Sequence, residues 1–133
     1  MKLVNCDEKY WEFVRLIRID QNNISGFVQN MHINKNNQKK YMKINSNNYR
    51  IALIDDNPVG YVGVINDDIR ICTHPKYKGI GVGEFMLKKC IKIWKNSTAK
   101  VKKDNIISSN LFLKCGFNKY KEDEEFIYYK IIK

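Results

Sequence analysis

The chain has 133 residues, 44% of them hydrophobic, and a formal net charge of +10. That length suits one domain and leaves little room for a second, and the apolar share is enough for a packed core, which excludes wholesale disorder. The charge comes from 24 Lys and Arg against 14 Asp and Glu and favours anionic partners, but the lysines are spread along the chain. With no basic tail and no long basic helix face, the pattern points away from nucleic acid and equally fits a solubilising surface.

Residues 1–4 read as a first strand. Asp7 is placed to cap a helix over residues 8–19, where Tyr10, Phe13, Val14 and Ile17 recur at three- and four-residue steps, the spacing of one buried helix face. Residues 22–26 are rich in turn formers, residues 27–33 fit no single pattern, and residues 34–44 read as a mostly polar helix resting on Tyr41, Met42 and Ile44. The period then changes to that of strands over residues 49–54, 59–65 and 68–73. Turns are expected at residues 55–58 and 66–67, which makes an antiparallel meander. An amphipathic helix is expected over residues 81–94, with Phe85, Leu87, Ile91 and Trp94 as its buried side. A strand over 98–101, a helix over 107–115 with Gly116 as its stop, and a closing hairpin of 118–120 with 126–131 complete the order β-α-α-β-β-β-α-β-α-β-β.

Cys6, Cys72, Cys90 and Cys115 form no Cys-x-x-Cys pair, and no His stands at ligand spacing from two of them. They read as buried free thiols, with neither a disulfide framework nor a metal site expected. No apolar core of a signal peptide follows Met1, and no run of about 18 apolar residues could cross a membrane. The expected location is the cytoplasm.

The informative segment runs His74-Pro75-Lys76-Tyr77-Lys78-Gly79-Ile80-Gly81-Val82-Gly83-Glu84. It joins a strand to the start of a helix, where unpaired N–H groups and the helix dipole attract anions. Glycines at 79, 81 and 83 let backbone approach a ligand closely, so the segment suits a pyrophosphate. A nucleoside-triphosphate loop would need Gly-Lys-[Ser/Thr] where Glu84 follows the last glycine, and a dinucleotide fingerprint needs other glycine spacing inside a parallel unit.

The segment resembles the acetyl-CoA motif of the GNAT N-acetyltransferase superfamily. That motif runs from a Val-x-Pro-like step, here Thr73-His74-Pro75, into [Gln/Arg]-x-x-Gly-x-[Gly/Ala], here Lys78 to Gly83. Lys78 keeps a cation but not the bidentate fork of an arginine. Downstream, Asn105-Ile106-Ile107-Ser108-Ser109-Asn110-Leu111-Phe112-Leu113-Lys114-Cys115-Gly116-Phe117 is similar to the family's Asn-x-x-[Ala/Ser]-x-x-Leu-[Tyr/Phe]-x-Lys-x-Gly-Phe signature. Two motifs in order make the resemblance specific over residues 49–117 and loose before them.

The resemblance implies a single mixed α/β (α+β) N-acetyltransferase domain over residues 1–133, with a central, mostly antiparallel twisted sheet flanked by helices. It implies an enzyme that uses acetyl-CoA and acts on a small-molecule or protein amine, as a monomer or homodimer away from membranes. Ile71, Cys72 and Thr73 would line the pantetheine arm, and Lys78, Gly79, Ile80, Gly81, Val82, Gly83 and Glu84 would hold the pyrophosphate. Asn105 would bond the pantetheine and Phe112 would pack near its thiol end.

An attacking amine must lose a proton, which calls for a base. Asp68, His74, Asp67 and Glu84 are the candidates, with Asp68 first and His74 the side chain that titrates nearest neutrality. The N–H of Ile71 is the implied oxyanion donor. The position that often carries an acidic Tyr in the family is Phe112, which leaves Tyr120, Tyr128, solvent or an unprotonated thiolate. A Cys72/His74 nucleophile pair lacks a third orienting group. Acceptor choice is expected from Arg18, Phe27 and Gln29, in a layout loosely resembling members that acetylate nucleotide-linked amino sugars; a non-catalytic acetyl-CoA or nucleic-acid-binding module is the alternative.

Overall fold

The computed structural model describes residues 1–20 and 34–131. Among them the elements run β1 (Lys2–Asn5), α1 (Trp11–Ile19), α2 (Lys35–Asn45), β2 (Tyr49–Ile54), β3 (Asn57–Ile65), β4 (Asp68–Thr73), α3 (Val82–Ile93), β5 (Thr98–Lys102), α4 (Ile106–Lys114), β6 (Phe117–Glu122) and β7 (Phe126–Ile131). This is the expected order. The strands form one sheet, β1-β2-β3-β4-β5-β7-β6, antiparallel throughout except between β4 and β5. No helix among the described residues is long and apolar enough to cross a membrane.

Two tight turns set the meander. Asp55 and Asp56 have φ of 49° and 64°, and Asn66 and Asp67 have 51° and 64°. Asp and Asn tolerate this left-handed backbone, which matches the twist of the flanking strands. The first turn is shorter than expected: two residues suffice, so Asn57 and Pro58 belong to β3. Pro58 is accommodated where the β2–β3 register shifts after Ala52, a bulge that spares a ladder hydrogen bond.

The sheet is covered on both faces. On one, α1 and α2 bury Val14, Ile17 and Met42 against Tyr49, Ile51, Leu53, Tyr61 and Cys72. On the other, α3 and α4 pack on Val62, Val64, Ile69 and Ala99. Three local expectations fail. Asp7 precedes a short 3-10 turn and its side chain makes no capping bond. Ile44 is 79% exposed, because α2 turns Gln38 and Met42 inward instead. The buried row of α3 is Val82, Met86, Leu87 and Cys90, with Phe85, Ile91 and Trp94 only partly covered. The reason for the last is Gly60: a Cβ there would meet Met86 Cε at 2.8 Å, so this glycine lets the Met86 row settle directly onto β3.

Gly63 is a second close approach, since a Cβ would lie 2.4 Å from Asn48 O and 2.5 Å from the Tyr49 ring. Backbone and a buried ring cannot both retreat. Gly63→Ala should cost about 1–3 kcal/mol, the usual penalty of overpacking, read as a lower urea midpoint. An unchanged midpoint would show that the meander is looser than this packing implies.

Candidate active site

β4 and β5 are neighbours but are paired at a single register position, Asp68 with Thr98. Thr98 N–H donates to Asp67 O at 2.6 Å, and its hydroxyl reaches the same oxygen at 3.2 Å. Beyond that clasp β5 follows β7, to which all five of its residues pair. The phase of β4 follows from its other neighbour. His74 N–H donates to Val59 O at 2.7 Å, so residues 68, 70 and 72 exchange bonds with β3. Alternation then turns the backbone of Ile69, Ile71 and Thr73 towards the side that β5 has left. Ile71 and Thr73 therefore stand on the flank of a V-shaped gap.

The glycine loop lies at the mouth of this gap. Gly79 and Gly81 have φ of 83° and 92°, and a Cβ at either would meet nothing within 4 Å. Their requirement is for backbone conformation, with open space on the outside. Gly83 differs: a Cβ there would sit 3.2 Å from Leu111 Cδ2, so it lets α3 approach α4. Gly81 is the N-cap and offers no side chain. The first intrahelical bond is Phe85 N–H to Gly81 O, 3.0 Å, which leaves the amides of Val82, Gly83 and Glu84 in the uncapped first turn. Val82 itself is buried, while Lys78 and Ile80 are exposed. Glu84 would repel an anion here, but Lys88 and Lys114 bind its two oxygens at 2.9 and 3.1 Å. These two contacts hold its carboxyl below the usual range.

The second motif divides. Asn105 caps α4, with Oδ1 accepting Ser108 N–H at 3.2 Å, and its side-chain amide nitrogen has no hydrogen bond among the described residues. Phe112 is 4% exposed and lies between Phe117, at 5.1 Å, and Tyr129, at 6.0 Å. The structure gives it to the core. A ring without a hydroxyl loses nothing by burial there.

The acid–base candidates separate clearly. Asp68 sits at the clasp, its Oδ2 3.0 Å from Arg70 Nε. The charges are paired, although the buried Nε–H finds no acceptor along its own direction. Burial pushes the Asp68 carboxyl up, and Arg70 opposes that shift. Asp67 is exposed in its turn. His74 is built into the loop: its Nδ1 accepts Lys76 N–H at 3.1 Å, and its ring stacks on Phe13 at 6.4 Å and meets Tyr77 at 5.7 Å. Cys72 is buried, its thiol pushed up to about 12 by desolvation and directed at Ile17 O, 3.8 Å away. Such a thiol is a poor nucleophile. Tyr120 and Tyr128 are on β6 and β7, beyond β5, and Tyr128 donates to Asp123 Oδ2 at 2.9 Å.

Arg18 ends α1 and bonds the hydroxyl of buried Tyr61. Phe27 and Gln29 lie outside the described residues. Arg70 was not among the expected site residues, and neither was the Tyr41–Tyr49 hydroxyl pair at 2.6 Å. Period-two alternation, which puts Arg70 on the face of Asp68, was the available signal.

A family model described as the acetyltransferase (GNAT) family matches residues 10–117. No curated protein matches the sequence. Among solved structures, ribosomal-protein-alanine N-acetyltransferase from Brucella melitensis superposes with a TM-score of 0.86 at 14% identity, over 99% of this chain and 100% of that one. Spermidine N-acetyltransferase from Vibrio cholerae, in complex with CoA and spermine, gives 0.80 at 15%, over 96% and 92%. PaiA N-acetyltransferase from Thermoplasma acidophilum, in complex with coenzyme A, gives 0.66 at 14%, over 98% of each. At these identities the likeness is one of fold.

Lys114→Ala should release half of the grip on Glu84 and weaken coenzyme A binding several-fold. Glu84→Gln, which removes the competing charge, should strengthen it by a factor of about 2–5, the usual scale of a charge near a helix N-terminus. Titration calorimetry at low salt reads both, and equal affinities in all three proteins would place the anion elsewhere.

Proposed function

This chain belongs to the acetyltransferase (GNAT) family, and on that premise we propose that it transfers the acetyl group of acetyl-CoA to a primary amine. The observation that carries the proposal is the gap beside Ile71, open along one flank of β4 and ending at an uncapped helix start. The residues present fit the cofactor. Gly79 and Gly81 supply a left-handed backbone with free space outside it, three first-turn amides are left without helical partners, and the acidic Glu84 is already neutralised.

Acetyl-CoA, when bound, supplies an activated thioester. The chain's part is to hold it and to manage charge and protons. Amides of residues 82–84 take the pyrophosphate. Ile71 and Thr73 offer strand-like backbone to the pantetheine, and the amide nitrogen of Asn105 is a further donor. The Ile71 N–H would be the donor that stabilises negative charge on a bound thioester's oxygen. Asp68 accepts the proton of the acceptor ammonium, a role suited to a carboxyl raised by burial. With Phe112 in the core, Tyr128 committed to Asp123 and Tyr120 exposed on β6 beyond β5, a leaving thiolate would take its proton from solvent.

The finer reading, a nucleotide-linked amino sugar as acceptor, rests on Arg18, Phe27 and Gln29. Arg18 is bonded to the hydroxyl of buried Tyr61, and Phe27 and Gln29 lie outside the described residues. Release of thiol from acetyl-CoA with a panel of amino sugars, polyamines and peptides tests the activity. Turnover with at least one class is expected; tight cofactor binding without turnover on any amine would leave only a binding module. Gly81→Glu should cost at least about tenfold in coenzyme A affinity, since a side chain there is strained by roughly 1–2 kcal/mol and adds an anion.

The reactive form of Asp68 is the carboxylate, and its pKa lies above the ordinary range. The rate should therefore fall as pH drops through that raised value and level off above it. Asp68→Asn should remove this acid limb and lower kcat by about 100-fold or more. Iodoacetamide at neutral pH should leave activity intact, because Cys72 is protonated and buried; rapid inactivation traced to Cys72 would restore a covalent route.

A further inference from the structure

Among the described residues, the β5, β7 and β6 end of the face that carries α1 and α2 belongs to neither the core nor the gap. Beyond β5, the strands turn Ala99, Val101 and Tyr129 towards α4, and their opposite face carries another set of residues. Cross-strand register puts Lys100, Tyr128 and Lys121 side by side over β5, β7 and β6. Lys100 Nζ lies 4.2 Å from the Phe126 ring centroid and 5.9 Å from that of Tyr128. Lys121 is 5.0 Å from Tyr128, and Lys130 is 4.7 Å from Tyr120. Tyr120 and Tyr128 meet edge to face at 6.4 Å. Lys100, Lys121, Lys130 and Tyr120 are exposed, and α1 packs over β3 and β4 instead of this face.

Lys121 and Lys130 stand in no ion pair among the described residues, while Lys100 also lies in the field of the Asp123 and Asp68 carboxylates. Glu122 is paired with Lys103 at 3.3 Å and Lys119 at 2.7 Å. Asp123 closes its own turn, accepting the N–H groups of Glu125 and Phe126 and the hydroxyl of Tyr128. Lysines on outer strands can serve only to discourage strand pairing, and an exposed cation–π contact contributes about 0.5–1 kcal/mol. Neither role needs three accessible rings interleaved with the ammonium groups on one flat platform.

We propose that this face of β5, β7 and β6 binds single-stranded nucleic acid, with Tyr120, Phe126 and Tyr128 stacking bases and Lys100, Lys121 and Lys130 holding phosphates. Open sheets that present aromatic rings beside cations bind single strands in this way. An acidic peptide would use the lysines but has no planar group for each ring. The surface is distinct from the anion site at the start of α3, which packs on the opposite face of the sheet, and the proposal does not depend on acetyl transfer. The lysines are spread over thirty-odd positions in the sequence, which is why the sequence pointed away from such a partner; the fold gathers them.

Anisotropy of a short fluorescein-labelled oligothymidylate, titrated with the full chain, tests this. Binding should persist under saturating coenzyme A. It should weaken with salt at a log–log slope of about −2, from about −0.7 for each of three lysine–phosphate contacts. Tyr120→Ala and Phe126→Ala should each cost about tenfold, and Lys130→Gln should flatten the slope by about 0.7. Thermal unfolding and coenzyme A affinity report whether each variant folds; Lys130→Gln and Tyr120→Ala, at exposed positions, carry the test if Phe126→Ala does not. No binding at low salt would overturn the proposal, as would displacement by coenzyme A. So would polyglutamate competing as well as unlabelled oligothymidylate while the ring variants bind normally.

Discussion

β4 and β5 touch at Asp68 and Thr98 and then separate. This puts a strand edge inside a sheet, where backbone donors and acceptors need partners. The separation has identifiable causes. Chain leaving β4 must climb through the glycine loop into α3 and return parallel, and Gly60 lets α3 lie close on β3. Meanwhile β5 is held along its whole length by β7, so it cannot swing back to close the gap. The opening is thus a product of packing on both sides.

Charge is arranged around that opening. The uncapped first turn of α3 supplies partial positive charge, and the one acid in it is tied down by lysines from α3 and α4. On the other face of β4, Asp68 and Arg70 form a half-exposed pair. One strand therefore carries an open backbone edge on one flank and a carboxyl raised by burial on its face. The net charge of +10 adds long-range attraction for a polyanionic cofactor.

Much of this was legible because its causes are local. Gly79 and Gly81 reflect a backbone requirement, the Asp55-Asp56 and Asn66-Asp67 turns need residues tolerant of positive φ, and strand alternation fixes the phase of β4. What escaped depends on contacts between distant segments. Nothing near Phe112 in sequence announces that Phe117 and Tyr129 will enclose it. The place of His74 before Pro75 suggests a structural role from sequence, but its use as a stacked, loop-capping ring depends on Phe13. The inward row of α3 was misplaced because Gly60, far upstream, decides which residues can sit deepest. Arg70 was overlooked although simple alternation sets it beside Asp68.

The central claim is that the flank of β4 and the start of α3 together hold the cofactor. Amide chemical shifts of the labelled chain, followed during a coenzyme A titration, test it directly. The account predicts that the largest changes fall on Ile71, Thr73 and residues 79–84, with the β6–β7 hairpin little affected. Changes concentrated elsewhere, with the Ile71 and Gly81 amides unmoved at saturation, would contradict it.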